Sequence, residues 1–457
     1  MQNRNKGITL VALIITIVVM LILVAVSVNV IIKSNLIGTA EKATNKYKTA
    51  SEEESKGGVI EIDGKKYASV EDYLTKKEYI DSNIPGGTRV TDNTEYKVND
   101  ETAWIPAGFT VSGIDSERTI DGGLVIYDIP EGTTPDWSNP DSVKTKYNQF
   151  VWIPVEVKST DTENSIASFY RSAWTANEST GGERTIGLSR DYTEPYSYDT
   201  TNNYDQTNGI ADQITELTKS IYKYGGFYIG RYEAGSTTER TDSSSQTASF
   251  VVQQDKYPYN HIIWGKSMSD VSEGAVYLSN NLYASTNTNY GATSMLCTGA
   301  SWESMLDFIK DSSHSVKDST TWGNYQNSET YTINRGKYAA CSNSSYNWTL
   351  GKFQDVGNEY SKEKNQSILL TTGATERNSS KNIYDVAGNV EEWTTESRSS
   401  SERVSRGRNL PQLWFYQSSD VTRYRYYGRK RQPHRLSPST LCKAVSLQAI
   451  QIGFSDT

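Results

Sequence analysis

Hydrophobic and polar positions fall along this chain in two regimes. Residues 1–7 are polar with two basic side chains, Arg4 and Lys6, and residues 8–32 then form a run of about 25 positions without a single charge. At ~1.5 Å rise per residue such a run crosses a ~30 Å hydrocarbon core as a helix. The basic side chains precede it, so the positive-inside rule keeps the N-terminus cytoplasmic and sends the rest of the chain outside. Residues 33–54 are rich in Ala, Lys, Glu and Thr, helix formers with charge on most faces. They predict that the transmembrane helix continues as a solvated stalk until Lys56-Gly57-Gly58 ends it.

Beyond residue 58 the apolar positions come in short, often alternating groups. Residues 60–67 around Asp63-Gly64 predict a strand and a turn, and residues 70–79 a helix. Trp104-Ile105-Pro106-Ala107-Gly108-Phe109 and Gly123-Leu124-Val125-Ile126-Tyr127 predict strands leading into Gln149-Phe150-Val151-Trp152-Ile153-Pro154-Val155, the most apolar short segment of the exterior. Residues 158–210 carry many Ser, Thr, Asn and Glu and few aliphatics, which predicts a long surface loop. Order resumes at Tyr224-Gly225-Gly226-Phe227-Tyr228-Ile229. One helix is expected after Trp264. A second is expected over residues 301–310, where Trp302, Met305, Leu306 and Ile309 repeat at i, i+3, i+4, i+7.

The abundance of aromatic residues (Tyr 31, Trp 10) among Asn, Ser, Thr and Gly suits strands and hydrogen-bonded loops. A net charge of −8 gives no electrostatic footprint for nucleic acid. Cys297, Cys341 and Cys442 lack C-x-x-C spacing and supply neither a zinc site nor a disulfide scaffold; a Cys297–Cys341 bridge is the pairing left open in an oxidising exterior. His261, His314 and His434 support no Ser-His-Asp or Cys-His arrangement, and His261 beside Ile262-Ile263 fits a core or strand-edge position.

Lys6-Gly7-Ile8-Thr9-Leu10-Val11 resembles the class III leader of type IV prepilins, a short basic leader ending in Gly before a hydrophobic helix. The resemblance implies that a prepilin peptidase cuts after Gly7 and methylates the new amine of Ile8, and that pilin-like subunits are partners. Ala12 stands where many pilins carry the Glu that pairs with a neighbouring subunit. An uncleaved anchor helix is the alternative.

Further along, Phe150-Val151-Trp152-Ile153-Pro154, Gly226-Phe227-Tyr228-Ile229-Gly230-Arg231-Tyr232-Glu233, Tyr257-Pro258-Tyr259-Asn260 and a Cys297-Thr298-Gly299-Ala300-Ser301-Trp302 segment occur in order. They precede Tyr384-Asp385-Val386-Ala387-Gly388-Asn389-Val390-Glu391-Glu392-Trp393-Thr394 and Arg403-Val404-Ser405-Arg406-Gly407. Together these resemble the formylglycine-generating enzyme (sulfatase-modifying factor) family, whose fold is an elaborated C-type-lectin-like domain. The resemblance covers about residues 147–410. It implies that Asn389 and Glu392 help hold a calcium ion, with a metal-free hydrogen-bonded turn as the alternative, and that Asp385, Gly388, Trp393, Arg406 and Gly407 shape the motif. The family's catalysts bind copper through a C-terminal Cys pair, and no Cys lies between Cys341 and Cys442. The domain is therefore expected to be non-catalytic and to bind a surface ligand, glycan or protein. A structural pilin or pseudopilin subunit of a fibre or secretion apparatus is the alternative.

After Gly407 the text departs from that family. Between Arg403 and Arg435 nine basic side chains face one acid, Asp420. Codons for His434-Arg435-Leu436-Ser437-Pro438 can be read one base later as Ile-Gly-Tyr-Arg-Pro, the family's closing motif. Residues 408–457 are thus expected to be an aberrant, frame-shifted tail in which Gly453-Phe454 is incidental. The expected organisation is a leader (1–7), a pilin-like transmembrane and stalk helix (8–56), a small β-rich connecting region (57–146), the enzyme-like domain (147–407) and this tail. In class it is α+β, a transmembrane and stalk helix followed by a lectin-like domain. The expected location is the cell membrane, single-pass, with the C-terminal part extracellular.

Overall fold

The computed structural model describes residues 60–62, 65–67, 80, 82–185, 207–242, 244–267, 269–344, 347–399, 402–407, 423–426, 445–446 and 450–455. Gly7, Ile8, the apolar run 8–32, the stalk and the helix expected over 70–79 lie outside the described residues. The chain divides into two compact units, residues 1–81 and 82–457. In the first, Ile60–Ile62 pairs antiparallel with Lys65–Tyr67, flanking Asp63-Gly64 as the alternation predicts.

The second unit is organised around a six-stranded antiparallel sheet. Its strands are β1 (Thr110–Val111), β2 (Val125–Tyr127), β3 (Gln149–Pro154), β4 (Gly226–Gly230) and β5 (Ala292–Leu296), together with a strand from the far C-terminal end. Before that last strand come β6 (Glu391–Ser399), β7 (Glu402–Arg406), β8 (Arg423–Tyr426) and β9 (Val445–Ser446), a second sheet in the order β8-β7-β6-β9. The last strand, β10 (Ile450–Phe454), lies between β4 and β5, giving the order β5-β10-β4-β3-β2-β1. The α-helices among the described residues are α1 (Pro140–Lys144), α2 (Ile210–Tyr224), α3 (Ala275–Leu282) and α4 (Gly299–Ile309).

β3 is a continuous apolar run rather than an alternating one because both of its faces are covered. Val151 and Ile153 share a core with Phe227 and Ile229 of β4, Leu217 and Ile221 of α2, and Trp302, Met305, Leu306 and Ile309 of α4. Those four α4 residues are the stripe read from the sequence. Thr298 starts that helix, its Oγ1 accepting from the Ser301 N–H at 3.0 Å.

Several expectations are corrected. The expected α+β class is corrected: most regular elements of the described residues are strands, with four α-helices, and among those residues no helix is long and apolar enough to cross a membrane. The apolar stripe a packed helix requires recurs in only a few windows, and the Tyr- and Thr-rich text between them pairs as strands. The boundary at 146/147 does not hold either, since β1 and β2 join the same sheet as β3. The loop expected over 158–210 contains an antiparallel hairpin, Ala173–Thr175 with Glu183–Thr185, whose Trp174 is buried. Gly453-Phe454 is not incidental. β10 is an interior strand of the main sheet, Ile452 is fully buried, and the Phe454 ring stacks on Tyr224 at 4.1 Å between centroids.

Candidate functional site

The Asp385-to-Trp393 string forms a buried knot in which backbone conformation and side-chain bonding depend on one another. Asp385, Gly388 and Asn389 all have positive φ, at 63°, 83° and 60°. At Gly388 a Cβ would lie 2.4 Å from the carbonyl oxygen of Asn324, so the close approach of these two segments requires glycine. Across that contact the Asn389 N–H donates to Asn324 O at 3.1 Å, and the Asn324 N–H to Ala387 O at 2.9 Å. Trp393 Nε1 donates to Ile262 O at 3.2 Å, and Trp264 Nε1 returns to Thr394 O at 2.9 Å, which pins β6 to the 262–264 segment.

Asn389 is the centre of the knot. Its Oδ1 accepts from Leu370 N–H at 2.9 Å and from Asn324 Nδ2 at 3.0 Å. Its Nδ2 donates to Leu370 O at 3.2 Å and to Glu233 Oε1. An amide oxygen with two donors has both lone pairs committed, so the Asn389 side chain does not fit a calcium ligand. Among the described residues no group of three or more His, Cys, Asp or Glu is arranged to hold a metal ion. Glu392 is buried beneath Gly407, where a Cβ would lie 2.4 Å from Glu392 Oε2. Neither Glu392 oxygen has a hydrogen-bond partner, nor do Glu233 Oε2 and Asp385 Oδ1. Burial pushes the Glu392 carboxyl well above the usual range, and the neighbouring Glu233, Glu391 and Asp385 push it further. Burial likewise raises Asp385 to about 7, against the 2.7 Å hydrogen bond it accepts from the Gly373 N–H. The arrangement is one of buried carboxyls whose neutral forms burial favours.

Arg406 closes a second buried network. Its Nη2 meets Glu396 Oε1 at 2.7 Å, its Nε meets Glu396 Oε2 at 2.8 Å, and its Nη1 reaches Glu303 of α4 at 2.9 Å. Arg171 adds a third contact to Glu396 at 2.7 Å. Burial alone would raise the Glu396 carboxyl, but Arg406 and Arg171 outweigh it and hold it down to about 2. An equivalent device that the motif reading missed lies just after β4 of the six-stranded sheet, where Arg231 pairs with buried Glu117 at 2.8 Å. Arg406 and Gly407 are therefore structural, tying β7 to α4 and β6.

Cys297 and Cys341 are not joined by a disulfide, so the bridge left open by the sequence is not made. Burial lowers the His261 pKa; the residue sits at φ 55° with Nε2 unpartnered, in a turn rather than on a strand edge.

One accessible feature among the described residues of the unit is a cavity of about 840 Å³ between α2, β5, the end of β10 and the C-terminal end of α3. Leu217, Tyr224, Met295 and Phe454 supply apolar wall. Tyr222 lies on its rim and, at 42%, is the large hydrophobic side chain left exposed among the described residues. Asn280 of α3 also lines it, with a sheltered Oδ1 that has no hydrogen-bond partner. These residues were missed because no element is expected from the sequence over residues 211–223, which are most of α2. Its signal was present in Ile210, Ile214, Leu217, Ile221 and Tyr224 at helical spacing between Gly209 and Gly225, both left-handed at the helix ends.

Comparison with known proteins gives no match: no family model, no curated protein and no solved structure corresponds to this chain.

Proposed function

We propose that this is an exported, membrane-anchored surface protein whose second unit is a non-catalytic ligand-binding domain, with the cavity between α2 and β5 as its binding site. The observation that carries the binding half is the coincidence of an 840 Å³ cavity and an exposed aromatic residue in its lining. Its size is within the range of small-molecule sites. The export half is supported by the uncharged run 8–32 behind Arg4 and Lys6, and by the prepilin-like Gly7-Ile8 junction. The non-catalytic reading is supported by the lack of any Cys between Cys341 and Cys442 where the resembled family carries its copper-binding pair.

Two measurements test this. Mass spectrometry of the membrane fraction should find a mature N-terminus at methylated Ile8; an intact Met1 there would remove the pilin-like processing. In a cell-adhesion assay, Ala284→Trp, which fills the cavity mouth, should abolish adhesion by the full chain. Undiminished adhesion by that variant would remove the cavity from the binding reading. The structural-subunit alternative rests on the leader alone and would show as filaments carrying this chain, for which Ala12 lacks the pairing carboxylate.

A further inference from the structure

We infer that Asn365 is the attachment site of an N-linked glycan, added while the chain is being exported. The inference rests on the export reading and adds a covalent modification to it.

Asn-x-Ser/Thr triplets, with any residue but Pro in the middle, are acceptors for such a glycan in exported chains. Among the asparagines whose side chains are described, Asn177, Asn365 and Asn378 begin one. The fold separates the three, because a bulky, hydrated glycan has to be left in solvent. Asn378 fails that condition at 1% exposure. Asn177 has its amide committed to a turn: its Oδ1 accepts from the Ser179 N–H at 3.1 Å and from Ser179 Oγ at 2.8 Å, and its Nδ2 donates to Glu183 Oε1 at 2.9 Å. Asn365 is exposed. It is the third residue of a turn over Glu363–Gln366, closed by the Gln366 N–H donating to Glu363 O at 3.1 Å, between the strands Tyr360–Lys362 and Ile368–Leu370.

The other half of the triplet carries a second observation. Asn365 has a structural reason to be asparagine, since its φ of 68° is a conformation that few side chains other than Asn and Asp adopt readily. Ser367 has none. It is 5% exposed and its Oγ has no hydrogen-bond partner, and a buried hydroxyl without a partner weakens a fold. Packing therefore does not account for a serine at 367, whereas the triplet does. In the extended chain that hydroxyl is open to an enzyme, which puts the transfer before the turn packs. The co-substrate is a polyprenyl diphosphate-linked oligosaccharide. Asn365 Nδ2 forms the bond to the sugar C1 and gives up one proton, while the bond from C1 to the diphosphate oxygen breaks and the lipid diphosphate leaves with the electron pair.

The test takes the full chain from the membrane fraction of the cells that make it, digests it with trypsin and reads the peptides by mass spectrometry. Cleavage after Lys364 and Arg377 separates Asn365, in peptide 365–377, from Asn378, in peptide 378–381. Peptide 365–377 is expected to carry a saccharide mass and to release sugar oxonium ions. Both signals should be lost in Asn365→Gln and in Ser367→Ala, with the melting temperature of each variant within a few degrees of wild type. Ser367→Ala is the sharper variant, because it keeps the asparagine and removes a hydroxyl that bonds to nothing in the fold. The inference is overturned if peptide 365–377 is bare in chains cleaved by protease added to intact cells, if the glycan persists in Ser367→Ala, or if the sugar sits on peptide 378–381 instead. A bare peptide in chains that such a protease does not reach would sink the export reading as well.

Discussion

The side chain of Asn389 takes both backbone hydrogen-bonding groups of Leu370, accepting its N–H at 2.9 Å and donating to its C=O at 3.2 Å. One amide thus does for Leu370 what a neighbouring strand would do, deep in the interior. Its other two bonds reach Asn324 and Glu233, so a single side chain joins four stretches of sequence. Replacing it with Ala orphans the N–H and C=O of Leu370 and Glu233 Oε1, while Asn324 Nδ2 keeps its bond to Ile368 O. At roughly 1–3 kcal/mol for each unsatisfied buried group, a loss of about 4 kcal/mol is expected. Asn389→Asp should cost at least as much, because it sets a carboxylate against Leu370 O and Glu233. Urea midpoints measure this; a loss below about 1 kcal/mol for both variants would contradict the hub.

Arg406 and Glu396 set the acid limit of the fold. Glu396 is held down to about 2 in the folded chain, so its contribution to stability is fully present above the ordinary Glu range near pH 4.5 and is lost as pH falls toward 2. Arg406→Gln removes the partner of a buried carboxylate and should cost ~3–5 kcal/mol at neutral pH. It should also flatten the loss of stability between pH 4.5 and 2. Thermal melts across that window decide the matter.

Asp385 predicts the opposite slope. Its folded-state pKa is raised by burial to about 7, so the folded chain binds a proton that the unfolded chain releases near pH 4. Stability from this group is greatest below pH 4 and declines as pH rises toward 7. Asp385→Asn keeps an acceptor for the Gly373 N–H and cannot ionise. It should therefore gain about 2–4 kcal/mol on the parent at pH 7 and nothing at pH 4. Equal shifts at both values would show that Asp385 does not titrate in this range.

β10 makes the C-terminal end part of the core. Ile452 is fully buried between β4 and β5, and Ile452→Ala should cost ~2–5 kcal/mol. Removing residues 450–457 should leave an unpaired slot between β4 and β5 and a chain that aggregates or is rapidly proteolysed. A melting temperature unchanged by either alteration would restore the reading of this segment as a bystander.

Some elements were legible because their cause is local. The stripe Trp302, Met305, Leu306, Ile309 gives α4, the uninterrupted run 149–153 gives a strand buried on both faces, and Asp63-Gly64 marks a turn between paired strands. Gly388 is named by the motif, yet the reason glycine is required there, the Asn324 carbonyl 2.4 Å from where a Cβ would be, exists only in three dimensions.

What the sequence by itself determined is which residues are chemically unusual: the acids of the 385–396 region, the paired arginines of 403–406, and the uncharged run near the N-terminus. Tertiary structure alone decided what each does. Glu392 and Glu396 are the same residue type four positions apart on one strand, yet one is pushed toward its neutral form by burial among acids and the other is held ionised by Arg406 and Arg171. A carboxyl's charge is set by the dielectric and the charges within a few ångströms of it. Here those neighbours come from residues such as Glu233 and Arg171, more than 150 positions away in the chain for both acids, and only the packed fold brings them there.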